Sequence, residues 1–186
     1  SLSYGGLFSQ VNQAANALRQ LGIGKGDSVG IFMPMIPEIT IALLAIAKIG
    51  AVILPLFSGY GVDAVRSRLE NANAKVLFTA DGFPRRGKTI DMKSVADQAA
   101  EQLPDLAHLI VVKHAKMNIN MQPGRDYWWH ELVAIQSELA TTEKTSAEDT
   151  LMIIYTSGTT GKPKGAVHTH AGFPIKAAQD MAFGTD

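Results

Sequence analysis

The sequence predicts an α/β fold whose largely parallel sheet is covered by helices on both faces. Helical patterns and short apolar stretches alternate along the whole chain, and several of the apolar stretches have the composition of buried strands. This alternation is typical of parallel strands joined by helices. Right-handed crossovers would bring the carboxyl ends of the strands, and any ligand, to one edge of the sheet.

The composition suits one soluble globular domain or a part of a larger one. The chain has 186 residues, 46% hydrophobic and 18% charged, with a net charge of zero. The balanced charge argues against nucleic acid or a membrane surface as a partner. No cysteine is present, which excludes disulfides and thiol nucleophiles and fits a cytoplasmic protein. There is no leader sequence and no initiator Met, so we expect a piece of a longer polypeptide.

The first third of the chain predicts a helix, a strand, and then a long apolar run. The helix follows from a stripe of apolar residues between Leu7 and Leu21, with Gly22 able to end it, and Ser28–Met33 predicts a buried strand. Residues 39–56 are long enough for a membrane span, but Gly50 and Pro55 interrupt the run. A buried helix followed by a buried strand explains it better.

The same alternation continues to the end of the chain. Val65 and Leu69 lie on the inward face of one predicted helix, and Asp126 is predicted to cap another. In chain order we predict a helix over Val62–Asn71, a strand over Lys75–Thr79, a basic loop over 82–90, a helix over Met92–Leu103, a strand over Leu109–Val112, a helix from Asp126 through Leu139, a polar linker and subdomain boundary over 141–150, a strand over Leu151–Tyr155 and a helix over Ala171–Phe183.

One loop between Tyr155 and Gly165 has the composition of an anion-binding site. It reads Tyr-Thr-Ser-Gly-Thr-Thr-Gly-Lys-Pro-Lys-Gly and follows an apolar strand. Glycines let backbone N–H groups turn toward an anion, hydroxyls donate hydrogen bonds, and lysines supply positive charge. A Walker A loop is excluded, because Thr156 stands where its first glycine belongs and Pro163 stands where its hydroxyl residue belongs.

These eleven residues resemble the signature loop of the AMP-forming adenylate enzymes, which include acyl-CoA synthetases, luciferases and peptide-synthetase adenylation domains. The resemblance implies that this chain is part of the large N-terminal domain of such an enzyme. It also implies that Lys164 faces the phosphates of ATP, with Lys162 as a further candidate or a solvated loop lysine. The other residues expected to wrap the β- and γ-phosphates are Thr156, Ser157, Gly158, Thr159, Thr160 and Gly161.

Other stretches resemble acetyl-CoA synthetases and their short-chain relatives. They are residues 34–38, 57–60, 79–82, 86–93 and 124–129. By this resemblance the basic loop after Asp81 would contact coenzyme A through Arg85 and Lys88, with Arg86 and Gly87 between them. The alternative is a basic loop that is merely solvated.

Two other groups of residues invite a functional interpretation and are better explained otherwise. His168 and His170 share a face of a strand, but no third metal ligand is apparent, so we predict no metal site. Trp128 and Trp129 are expected to pack rather than to stack on a ligand.

The resemblance implies a two-step reaction in which a short carboxylic acid, such as acetate, is activated by ATP with Mg2+ and transferred to coenzyme A. The family's later sequence blocks, its C-terminal domain and its catalytic lysine are absent from these 186 residues. We therefore assign no catalytic residue here and expect the fragment to be inactive without the remainder of its own chain. The second hypothesis is a stand-alone nucleotide-binding module or fold fragment that does not catalyse a reaction.

Overall fold

The computed structural model describes residues 2–156 and 163–184, and it confirms the predicted α/β fold. The helices are α1 (Tyr4–Gln20), α2 (Pro37–Lys48), α3 (Val62–Asn71), α4 (Met92–Ala100), α5 (Trp129–Ala134) and α6 (Gly172–Gly184). The strands are β1 (Ser28–Phe32), β2 (Val52–Pro55), β3 (Ala74–Ala80), β4 (Gly82–Arg85), β5 (Lys88–Asp91), β6 (His108–Val112), β7 (Asp126–Trp128), β8 (Thr150–Thr156) and β9 (Lys164–Thr169).

The main sheet has the strand order β7-β6-β3-β1-β2-β8-β9. All neighbours are parallel except β8 and β9, which are antiparallel. From β1 the chain moves outward to β2, whereas from β3 it moves the other way to β6 and β7. The parallel strands therefore end at one edge, which we call the carboxyl edge, and the direction of winding reverses between β1 and β3. Ligands of open α/β sheets bind at such a reversal.

The helices cover both faces of the sheet. Right-handed crossovers place α2 on one face and α3 and α4 on the other, and α2 packs with α1 while α3 packs with α4. The apolar residues Val11, Ala14 and Leu18 of α1 are buried, as the helical pattern predicts. The long apolar run divides into α2 and β2, and within residues 2–156 and 163–184 no helix is long and apolar enough to cross a membrane.

The basic loop predicted over 82–90 is wrong in form, because β4 and β5 make it an antiparallel hairpin. Arg86 and Gly87 connect the two strands with φ of 50° and 75°. A tight two-residue turn needs positive φ at both positions, and glycine adopts it without strain. The turn places Arg85 directly opposite Lys88. We refer to Gly82–Asp91 as the basic hairpin.

The helix predicted from Asp126 through Leu139 is also wrong in extent, since Asp126 belongs to β7 and the helix spans only Trp129–Ala134. The carboxylate of Asp126 is fully buried between Lys93 Nζ at 2.9 Å and Arg125 Nε at 2.6 Å. Burial raises the pKa of Asp126, but the hydrogen bonds from Arg125 and Lys93 more than offset it and leave the pKa below its ordinary value. The side chain is thus committed to an internal ion pair and does not cap a helix.

An irregular segment after α5, residues 136–141, lies along α1, and we call it the strap. Its backbone carbonyls accept hydrogen bonds from one polar face of α1, for example from Asn12 Nδ2 to Glu138 O at 2.7 Å and from Arg19 Nη2 to Thr141 O at 2.7 Å. Gln13 and Asn16 donate to the strap in the same way. Beyond it, the Glu143 amide donates to Lys48 O at 2.8 Å. A subdomain boundary over 141–150 stays a prediction.

Candidate functional site

The signature loop connects the end of β8 to the start of β9, and these two strand ends are held together by their pairing. Thr156 ends β8 and pairs with Lys164, which begins β9, and both residues are exposed at the carboxyl edge. Residues directly opposite on antiparallel strands project to the same face, with Cβ atoms about 5 Å apart. The structure therefore places a threonine and a lysine side chain on the same face at the base of the loop. The other predicted phosphate-binding residues lie outside the described residues: Ser157, Gly158, Thr159, Thr160, Gly161 and Lys162.

Tyr155 anchors this base from the opposite face of the strand. It is 8% exposed, and its hydroxyl donates a hydrogen bond to Asn71 Oδ1 of α3. Burial raises the pKa of Tyr155, and the nearby charge of Arg68 opposes the shift without cancelling it. The phenol consequently keeps its proton at neutral pH and remains a donor.

Gly165 allows β9 to approach this ring closely. A Cβ atom at Gly165 would lie 2.8 Å from Ile153 Cγ2 and 3.3 Å from Tyr155 Cε1. The first distance is a clash, so a larger residue would push β9 or its neighbours away. Packing alone is thus a sufficient reason for the last glycine of the signature loop.

The basic hairpin follows β3 and lies at the same carboxyl edge as the signature loop. The strand order separates β3 from β8 by three inter-strand steps, or about 14 Å at the usual spacing of parallel strands. Arg85, Arg86, Gly87 and Lys88 are all exposed. Arg85 and Lys88 face the same side of the hairpin because they are paired across it.

Arg85 lies beside an aromatic turn that follows β2. Its guanidinium carbon is 5.8 Å from the ring centroid of Phe57, which is 59% exposed. A Cβ atom at Gly59 would lie 2.6 Å from Phe57 Cε1 and 2.7 Å from Arg85 Nη1, so a larger residue there would displace one of these two side chains. An exposed aromatic ring next to a guanidinium group is a surface on which a flat heterocycle can stack.

Asp81 fixes the start of the basic hairpin. It is fully buried and accepts N–H groups from Gly82 at 2.8 Å, His114 at 2.9 Å, Ala115 at 2.8 Å and Met117 at 3.0 Å. Burial raises the pKa of Asp81, but these four backbone hydrogen bonds prevail and hold it below its ordinary value. The carboxylate therefore ties the hairpin to the segment that follows β6.

His168, Trp128 and Trp129 pack against other aromatic side chains. His168 packs edge-on against Phe173 at 5.6 Å, and Trp129 packs against Phe78 at 5.5 Å in the core. Trp128 is half-buried beside His130. Among residues 2–156 and 163–184, no three or more histidine or acidic side chains are grouped to hold a metal ion.

Sequence reasoning missed Arg68, which is buried next to Tyr155. A signal was present, since Arg68 lies three residues after Val65 and one before Leu69, on the face of α3 that was predicted to point inward. A charged residue on a buried helical face calls for an explanation in the surrounding structure.

The whole chain matches a known family. The model of the family described as AMP-binding enzyme matches residues 1–185. The acetyl-coenzyme A synthetase of Methanothrix thermoacetophila is 45% identical over 186 residues, and that of Streptomyces coelicolor is 47% identical over 178 residues. The matches cover 100% and 96% of this chain but only 28% and 27% of those proteins.

The fold comparison agrees. The acetoacetyl-CoA synthetase from Streptomyces lividans superposes with a TM-score of 0.86 at 30% identity. The superposition covers 95% of this chain and 27% of that protein. This chain thus spans about a quarter of the length of the relatives it matches. Because the family match extends over essentially every residue, the chain belongs to the AMP-binding enzyme family.

Proposed function

We propose that the complete protein carrying this chain activates a short-chain carboxylic acid with ATP and transfers the acyl group to coenzyme A. The observation that carries the proposal is the pairing of Thr156 with Lys164 at the base of a Ser-, Thr- and Gly-rich loop. A hydroxyl and an ammonium group at the carboxyl edge suit a polyphosphate. The similarity to acetyl-coenzyme A synthetases supports acetate or a close homologue as the acid.

In the first step, a carboxylate oxygen of the acid forms a bond to the α-phosphorus of ATP. The bond from that phosphorus to the bridging oxygen of the β-phosphate breaks, and pyrophosphate leaves. In this proposal Lys164 and the hydroxyls from Thr156 to Thr160 hold the β- and γ-phosphates and stabilise the charge that develops on them. The residues of this chain thus act by positioning and electrostatics.

In the second step, the sulfur of coenzyme A attacks the acyl carbon, the bond to the AMP oxygen breaks, and the thiol proton is lost. We assign the basic hairpin to the phosphates of coenzyme A, through Arg85 and Lys88 with Arg86 and Gly87 at the turn. The ring of Phe57 beside Arg85 offers a stacking surface for the adenine. Its position about 14 Å along the edge from β8 leaves room for two ligands side by side.

The test is ATP–pyrophosphate exchange by the complete protein with acetate, propionate and butyrate, followed by acyl-CoA formation when coenzyme A is added. We expect exchange that requires one of these acids and thioester formation that requires coenzyme A. If the complete protein binds ATP but shows no exchange with any of the three acids, the ligase assignment is wrong. That result would favour the alternative of a nucleotide-binding module without catalysis.

A further inference from the structure

Arg68 is a buried cation that has no acidic partner in the described part of the chain. It is 8% exposed, and its Nη1 donates to the carbonyl oxygen of Ala64 at 2.7 Å. Its Nε is buried without a hydrogen-bond partner, and no ion pair involves Arg68 within residues 2–156 and 163–184. Burying a charge without a counter-ion is unfavourable, so something else must stabilise this arginine.

Two tyrosine rings, and no carboxylate, contact the buried guanidinium group of Arg68 in the described part of the chain. The guanidinium carbon lies 4.3 Å from the ring centroid of Tyr60 and 5.8 Å from that of Tyr155. Both distances are within the range of a cation–π interaction, which is stronger when the cation is shielded from water. Arg68 therefore joins a ring on the turn after β2 to a ring at the end of β8.

Each of these rings leads to one of the two proposed binding elements. Tyr155 precedes Thr156, the first residue of the phosphate loop in the proposed function. Tyr60 packs edge-on against Phe57 at 5.7 Å, and Phe57 in turn lies beside Arg85 of the basic hairpin. A continuous series of ring and guanidinium contacts therefore runs from the coenzyme A side of the edge to the ATP side, and Arg68 stands in the middle of it.

We propose that Arg68 is a positioning residue that holds the base of the phosphate loop and the Phe57–Tyr60 turn in one fixed arrangement. This role rests on the proposed function, because it assigns the two elements to ATP and coenzyme A. Only arginine combines a planar group for two rings with a positive charge that survives burial. Lysine would retain the charge without the plane, and methionine would fill the space without either.

The test compares Arg68→Met with the matched control Arg66→Met in the complete protein. Arg66 is on the same helix but bonds to Asp63 and Gln102, away from the rings. For Arg68→Met we expect the KM for ATP in pyrophosphate exchange and the KM for coenzyme A in thioester formation both to rise about tenfold. Arg66→Met should leave both constants within about twofold of the parent.

Arg68→Lys separates positioning from charge. We expect it to behave like Arg68→Met, because the planar contact is lost in both variants. If Arg68→Lys restores both KM values, the positive charge alone matters and the positioning role is wrong. The role is also wrong if Arg68→Met lowers only kcat, since that would indicate loss of folded enzyme without a change in the binding elements.

Amide hydrogen exchange of the same proteins tests the role of Arg68 separately from the proposed ligase activity. Peptides that cover 57–60 and 151–156 should exchange faster in Arg68→Met than in the parent, and they should stay protected in Arg66→Met. This readout needs no substrate. Faster exchange in a protein that forms no acyl-CoA would overturn the ligase assignment alone, whereas unchanged exchange in both segments would overturn the role of Arg68.

Discussion

Tyr155 and Gly165 face each other across the β8–β9 pair, and the tyrosine ring, together with the side chain of Ile153, crowds the space where a side chain at Gly165 would lie. The next pair along, Thr156 and Lys164, opens toward the carboxyl edge. The packing of Tyr155 against Gly165 therefore helps to fix the positions of Thr156 and Lys164. The separation of the two loop ends is fixed by the sheet, whatever ligand the loop meets.

Replacement of Lys164 tests its proposed contact with the phosphates. We expect Lys164→Ala to lower kcat/KM for ATP in pyrophosphate exchange by about 10- to 100-fold, because a charge that stabilises the leaving pyrophosphate is lost. Steady-state exchange kinetics of the complete protein would measure this. Lys144→Ala, an exposed lysine in a different segment, is the control and should match the parent. Unchanged exchange in Lys164→Ala would contradict the assignment.

A methyl group at Gly165 tests the packing against Tyr155. We expect Gly165→Ala to destabilise the protein by about 1–3 kcal/mol, because the added Cβ overlaps Ile153 and crowds the tyrosine ring. Urea unfolding measures the loss. Gly24→Ala serves as the control, since a Cβ atom at Gly24 meets nothing within 4 Å. Equal stability of the two variants would mean that β9 yields to the methyl group without cost.

Removal of Arg85 should separate the two half-reactions. Arg85→Ala is expected to raise the KM for coenzyme A about tenfold and to leave ATP–pyrophosphate exchange unchanged, because the basic hairpin is proposed to contact only the second substrate. Arg19→Ala, on α1 and bonded to the strap, is a control of equal charge change. An equal loss in both half-reactions would contradict a role specific to coenzyme A.

Asp81 should make stability depend on pH in acid. Its ordinary pKa is 3.8 and its folded pKa lies lower. The stabilisation by the ionised carboxylate is therefore fully present above the ordinary pKa and is lost as the pH falls through the folded value. Asp81→Asn should be less stable than the parent near neutrality, and this difference should shrink as the pH falls from neutrality to below the ordinary pKa of 3.8.

Urea unfolding across that range would measure the difference. Asp105→Asn removes an exposed carboxylate outside this hydrogen-bond cluster and provides the matched change of charge. A stability difference between Asp81→Asn and the parent that stays constant with pH would mean that the carboxylate's charge contributes nothing beyond its shape.

The 186-residue chain by itself should be inactive. It carries the base of the proposed phosphate loop, but it spans only 28% and 27% of the length of the two acetyl-coenzyme A synthetases compared above. We expect no ATP–pyrophosphate exchange with acetate, propionate or butyrate from the purified chain, while the complete protein is active under the same conditions. Robust exchange by the short chain would contradict this expectation.

The main sheet could largely be predicted from the sequence, because each of its central strands and helices has a strong local pattern. Gly50 and Pro55 were enough to divide the long apolar run into α2 and β2. The basic hairpin was missed because its strands are short, mostly exposed and without alternating polarity, so the sequence does not show the antiparallel pairing and the positive φ of Arg86 and Gly87 that define it.

The helix cap predicted at Asp126 was wrong for a different reason. A carboxylate before a helical pattern predicts a cap, and that inference is local. Of the true partners, Arg125 is the preceding residue, whereas Lys93 reaches Asp126 from α4, which is distant in sequence. The candidate site was likewise predictable only in part. The signature loop was recognised from its composition, whereas the roles of Asp81 and Arg68 depend on tertiary contacts that the sequence pattern does not show.

The way in which α1 holds the strap determines which positions of the two segments can change in sequence. α1 binds residues 136–141 mainly through backbone carbonyls, which every amino acid offers, including proline. Two side chains of the strap also take part, since the Gln136 amide donates to Gln20 Oε1 and Ala140 packs against the core. Replacements at 137–139 and at Thr141 should therefore be nearly silent, whereas Asn12 and Asn16 should tolerate few replacements. Selection would act on the helix that holds the segment and leave the segment itself largely free to diverge.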